Sequence, residues 1–168
     1  MASRLFRLSS QESPRFVYAG IPLLLAATHS FAIEFEALLN LEPVAAELSK
    51  DSLVKIMQVR YGVSGVLLRD LEDLVEIRNE IIHPMPLPSG TSDDWPDYLR
   101  RVKEKGLLTT TGNPDSDYYM LAQVASHNLF AWAVEVTKAL YEAVVYSNPE
   151  KISLFRPFLN ENFKTLFG

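Results

Sequence analysis

An arginine, an amide and an imidazole fall within six residues at Arg78-Asn79-Glu80-Ile81-Ile82-His83, immediately before Pro84. The apolar spacing around them predicts a helix over 66–83, which ends there because proline disfavours helical geometry in the residue before it. Leu67, Leu71, Leu74 and Ile81 mark a packing seam on that helix, and the position the seam demands between the last two is Arg78. A guanidinium does not shed its charge, so burying it unpaired is costly. Arg78 is therefore expected either in an internal ion pair, with Glu34 or Glu36 as partner, or at an anion site held open in the seam. Five residues along an α-helix is about 140° of rotation, so Arg78 and His83 are neighbours that point different ways. They converge best if the helix ends at His83, or if a second copy of the helix faces the first. A protonated His83 in the last turn would also complement the negative end of the helix dipole.

Other constellations are poorer. The chain has no cysteine, which excludes disulfides, thiolate metal sites and a thiol nucleophile. Its three histidines, His29, His83 and His127, are far apart, with no pair at the i, i+4 spacing of a metal site. His29 and His127 lie among apolar residues and read as satisfied core histidines. No cofactor and no metal are expected. Gly62 and Gly65 match neither a phosphate-cradling loop nor a dinucleotide fingerprint. The net charge of −5 argues against a surface coated in positive charge for non-specific nucleic-acid binding, though a local basic site remains open. Lys55, Arg60 and Arg69 either flank such a site or are solvated surface residues.

The elements that must position these residues read as helical throughout. Residues 16–33 carry no formal charge, and a membrane-spanning helix or a leader ending near Ser30-Phe31-Ala32 must be weighed. The strongly apolar part is only 21–27, however, and Phe31, Phe35 and Leu38 continue the spacing beside Glu34 and Glu36. A buried amphipathic helix from near Pro22 to about Leu41 accounts for the whole segment. Asp51 or Ser52 caps a second helix to about Arg60, and residues 61–65 break it. Residues 84–116 hold five of the ten prolines and read as a long connection with one short polar helix at about 95–105. Asp93-Asp94 begins that helix, and Asp115 and Asp117 begin the next.

That next pattern, from Asp117 to about Tyr146, is the longest, with only four formal charges and hence burial on more than one face. Its aromatics Tyr118, Tyr119, Phe130, Trp132 and Tyr141 read as core. A last amphipathic segment covers 149–167. With 48 % hydrophobic residues over 168 positions, the chain is one soluble all-α domain, an up-and-down helical bundle.

Arg78-Asn79-x-x-x-His83 resembles the Arg-polar-x-x-x-His signature of the HEPN superfamily of small all-α domains, in which the polar second position is commonly Asn, Asp or His. The placement late in a helix, between an apolar helical pair and a longer helix, is similar too. The resemblance covers the six-residue motif and about 120 residues of helical context, with 84–116 as a Pro-rich insert between core helices. It implies a single HEPN-like domain over 1–168, acting as a cytoplasmic homodimer without a membrane anchor, and a metal-independent endoribonuclease whose cleft is shared by two protomers.

In that setting His83 is the general acid or base in attack of the ribose 2′-hydroxyl on the adjacent phosphate. An unperturbed imidazole pKa of about 6.5 suits the task. Arg78 neutralises the phosphate and the charge that develops on it, and Asn79 orients the phosphate or its partner residue. The products implied are 2′,3′-cyclic phosphate and 5′-hydroxyl ends. Such enzymes often serve as toxins or defence effectors, sometimes beside a nucleotidyltransferase-type antitoxin partner. Other members are inactive, so the alternative is a silent helical module that binds protein, nucleotide or RNA, with Arg78 in a structural ion pair.

Overall fold

The computed structural model describes residues 15–38, 48–83, 95–108, 124 and 126–147. These form α1 (Arg15–Leu38), α2 (Leu53–Lys55, running on as a π-helical turn over Ile56–Arg60), α3 (Gly65–Ile82), α4 (Asp97–Glu104) and α5 (His127–Tyr146). No strand occurs among the described residues, and the architecture is an all-α helical bundle. The expected final segment 149–167, the acidic start signals at 93–94, 115 and 117, and Tyr118 and Tyr119 lie outside the described residues.

α1 lies along α5 in the most extensive helix–helix contact, and α3 packs on both. The apolar spacing of α1 continues on the N-terminal side of Pro22, so Val17 and Ile21 are fully buried with Leu24, Leu25, Ala32 and Phe35. This overturns the expected start at Pro22, which stands inside the helix. An internal proline costs a helix about 3 kcal/mol. Two fully buried aliphatic side chains offset that, at about 1.5–3 kcal/mol each. The span Val17–Ala37 is long and apolar enough to cross a membrane, with mean hydropathy 1.3. Here its apolar face is turned onto α5 and α3, and Glu36 near its end is buried in an ion pair.

Gly20 sets how closely α1 approaches α5. A Cβ there would stand 2.5 Å from Phe130 Cε2 and 2.8 Å from Cζ, and the Phe130 ring is fully buried. In an open helix Gly→Ala would stabilise by about 1 kcal/mol. Here overpacking wins, and Gly20→Ala should destabilise by about 1–3 kcal/mol in denaturant unfolding. Gly20→Ala with Phe130→Leu should recover most of the loss, whereas a gain in stability for the single variant would show the contact to be slack.

α2 begins at Ser52, whose hydroxyl accepts from the Lys55 N–H at 3.3 Å. Gly62 and Gly65, both at positive φ, make the expected break before α3. α4 matches the expected short helix, but it is built into the core: Leu99 and Val102 are fully buried, with Trp95 and Tyr98 nearly so. α5 differs from the continuous helix expected from 117. Ser126 has extended backbone, and its hydroxyl caps α5 by accepting from the Leu129 N–H at 2.9 Å while donating to the Leu107 carbonyl. His127 is therefore the first residue of a helix, not the middle of one. Phe130 and Tyr141 are core, as expected, and Trp132 is half-buried with Lys105 Nζ over its ring at 4.6 Å.

Tyr141 stacks on Phe31 with ring centroids 4.3 Å apart. Burial, reinforced by Glu34 and partly offset by a hydrogen bond with Thr28, pushes its hydroxyl up to about 12. The neutral phenol is the form the fold favours, so this contribution is complete below the unfolded value of about 10 and is lost as pH rises through the folded one. Stability should hold to about pH 10 and then fall, with about 2–3 kcal/mol attributable to this residue by pH 12. Tyr141→Phe should remove that part of the alkaline loss in unfolding curves taken across the range.

Candidate functional site

α3 delivers Arg78, Asn79 and His83 to its own C-terminal end. Its buried line runs through Leu71, Leu74 and Ile77, with Leu67 and Ile81 half-buried at either end. The seam thus steps from Leu74 to Ile77, three residues on, rather than to position 78, four residues on. Both steps follow a helical face. The position of Arg78 in the seam is therefore corrected: its side chain is exposed, and Nη1 donates to Asn79 Oδ1 at 3.1 Å.

The helix ends at Ile82. His83 is its C-cap, with φ −129° and ψ 70°, and its N–H donates to the Asn79 carbonyl at 2.7 Å. The imidazole is exposed, so the backbone is held while the ring is open to solvent. The helix thus stops just before Pro84, as the sequence predicts.

The internal pairs go to other residues. Glu36, 2 % exposed, receives Arg60 through both carboxylate oxygens, Nε to Oε1 at 2.9 Å and Nη2 to Oε2 at 2.7 Å. The Tyr61 hydroxyl lies 3.0 Å from both Glu36 Oε1 and the Ala32 carbonyl. Hydrogen bonding to Glu36 raises the Arg60 guanidinium, while burial and then the Glu36 charge raise the Tyr61 phenol. Arg60, weighed as flanking or solvated, is in fact the counterion of a buried carboxylate, held there by the π-helical turn.

Asp73, fully buried on α3, is held by Arg101 of α4, with Lys105 Nζ 3.8 Å from Oδ2 and bonded to Asp70. Its hydrogen bond raises the Arg101 guanidinium. Lys55 pairs with Asp51 at 2.7 Å, and Arg69 is exposed.

Next to Arg78 a cavity of about 310 Å³ opens where α1, α2 and α3 meet. Leu25 and His29 come from α1, Leu53 and Val54 from α2, and Val75 and Arg78 from α3. His29 is satisfied as expected, its Nε2 lying 3.1 Å from the Asp51 carbonyl. It is half-buried at this cavity, however, rather than in the core. The sequence signal for it was available: Pro22, Leu25, Ala26 and His29 follow i, i+3, i+4, i+7 and share one helix face. A polar residue closing an otherwise apolar face marks a rim.

No family model, curated protein or solved structure matches the chain. The chemistry on offer is thus a permanent cation steadied by an amide, an exposed imidazole one residue past the helix end, and an apolar hollow beside the cation.

Proposed function

We propose that the chain is a metal-independent endoribonuclease of the HEPN type, active as a homodimer and acting as a toxin or defence effector. What supports it is the openness of the motif: Arg78 and His83 are both exposed at one helix end, while Glu36 is engaged by Arg60 and Tyr61. An arginine that is not drawn into the core is available to an RNA phosphate. In this reading Arg78 binds the phosphate, Asn79 steadies Arg78 through the 3.1 Å hydrogen bond, and His83 exchanges protons with the 2′-hydroxyl or the leaving oxygen. A two-fold dimer brings a second His83, so that one imidazole takes a proton while the other gives one.

The test is cleavage of total RNA and short oligonucleotides by purified protein in EDTA, with the end groups of the products determined. Cyclic-phosphate and 5′-hydroxyl ends are expected. No cleavage at high enzyme concentration, or cleavage abolished by EDTA, would overturn the reading and leave the silent binding module ahead.

A further inference from the structure

The cavity beside Arg78 has a composition of its own. Its floor is aliphatic, with Leu25, Leu53, Val54 and Val75, and Arg78 stands at its edge. Its volume of about 310 Å³ is at the small end of ligand sites, which run from roughly 300 to 1,000 Å³. His29 supplies a second polar point. The Asp51 carbonyl can only accept, so the proton of that 3.1 Å hydrogen bond resides on His29 Nε2 and is already committed, and an acceptor-only carboxylate finds its donors on Arg78. We propose that this cavity binds a small organic monocarboxylate, its carboxylate on the Arg78 guanidinium and its apolar body against the aliphatic floor.

Charge selects a monoanion. Among the described residues one permanent cation lines the cavity, and Lys55 is already neutralised by Asp51 at 2.7 Å. A dianionic phosphate would be left half-compensated, whereas a carboxylate matches the planar fork of a guanidinium through two parallel hydrogen bonds. The floor selects a short aliphatic or single-ring body, because among the described residues no Phe, Tyr or Trp lines the cavity to stack on a wide flat ligand. Arg78 is shared with the RNA-cleavage site proposed above, so an occupied cavity would compete with a bound phosphate. The binding itself does not depend on that activity.

Octanoate, 3-phenylpropanoate, octanol and inorganic phosphate are the probes, titrated into the full chain by calorimetry and ligand-observed NMR. At least one of the two carboxylates should bind saturably, at one per chain and in the sub-millimolar range. It should bind more tightly than octanol and should not be displaced by equimolar phosphate. Arg78→Met keeps the side-chain stem and removes the charge, and should weaken that carboxylate roughly 10- to 100-fold. Ala26→Phe, at an exposed position on the cavity rim, should block carboxylate and alcohol alike. His83→Ala leaves the cavity intact and should bind like the unaltered chain, which separates this proposal from the fate of the ribonuclease reading. Binding of neither carboxylate, octanol as tight as octanoate, displacement by phosphate, or affinity unchanged in Arg78→Met or Ala26→Phe would each overturn it.

Discussion

Replacing Arg101 with methionine should lower unfolding stability by about 2–4 kcal/mol, a large part of the roughly 5–15 kcal/mol that holds a domain together. The cause is the carboxylate left behind. Asp73 is fully buried on α3, and Arg101 reaches it with Nε at 3.1 Å from Oδ1 and 3.2 Å from Oδ2. Breaking a buried pair costs about 3–5 kcal/mol when the surviving charge has no other partner. Two features place this case lower. Arg101 is itself 35 % exposed, and Lys105 Nζ stands 3.8 Å from Asp73 Oδ2.

The companion variant separates the lost attraction from the stranded charge. Asp73→Leu with Arg101→Met removes both groups and should return to within about 1 kcal/mol of the parent, since apolar replacement of a buried pair is often neutral. Chemical denaturation of the three proteins reads this directly. A loss below about 0.5 kcal/mol in the single variant would mean the pair behaves as a surface ion pair. It would also mean that α4 is docked chiefly by its buried side chains, Tyr98, Leu99 and Val102, and not by this pair.

The second large effect is on activity. In the proposed ribonuclease, His83→Ala should cut the cleavage rate by about 10²–10⁴-fold, the range for loss of one positioned acid or base. Stability should hardly change, because the ring is exposed and the 2.7 Å hydrogen bond to the Asn79 carbonyl uses the backbone N–H, which alanine keeps. Arg78→Ala should reduce the rate comparably, and Arg78→Lys should recover only part of it, since an ammonium lacks the planar fork. Asn79→Ala should have a smaller effect, because its side chain acts through the 3.1 Å contact to Arg78. Rates under single-turnover conditions, with melting temperatures alongside, decide the matter. Equal rates in the variants would remove these residues from any cleavage the protein performs.

The helices were largely legible in the sequence, and their partners were not. Leu71 and Leu74 were read correctly into the seam of α3, yet the next seam position is Ile77 and not Arg78. From Leu74, steps of three and of four residues both follow a helical face. Which one is buried depends on the angle at which α1 and α5 cross α3, and a local pattern does not contain that angle. The sequence offers Glu34 or Glu36 as an internal partner for Arg78; Glu36 is the buried one, and its cation is not Arg78. Its partner is Arg60, 24 residues away, delivered by a π-helical turn that residues 56–60 do not announce. The motif itself was visible because its residues are contiguous, and the helix end at His83 follows from Pro84. His29 was read only as satisfied, because the hollow it lines comes from three elements that are separate in sequence.

By itself the sequence determined the helical class, the break at residues 61–65, a cap at Asp51 or Ser52 and the end of α3. Each is a contest within a few residues of chain, decided by side-chain periodicity, capping and the backbone limits of glycine and proline. Tertiary structure alone decided that Val17 and Ile21 carry α1 past Pro22, that Asp73 meets Arg101, and that Arg78 stays outside beside an apolar hollow. Those outcomes turn on burial and charge pairing between segments tens of residues apart, where the energy of a contact exists only once the helices have been laid against one another.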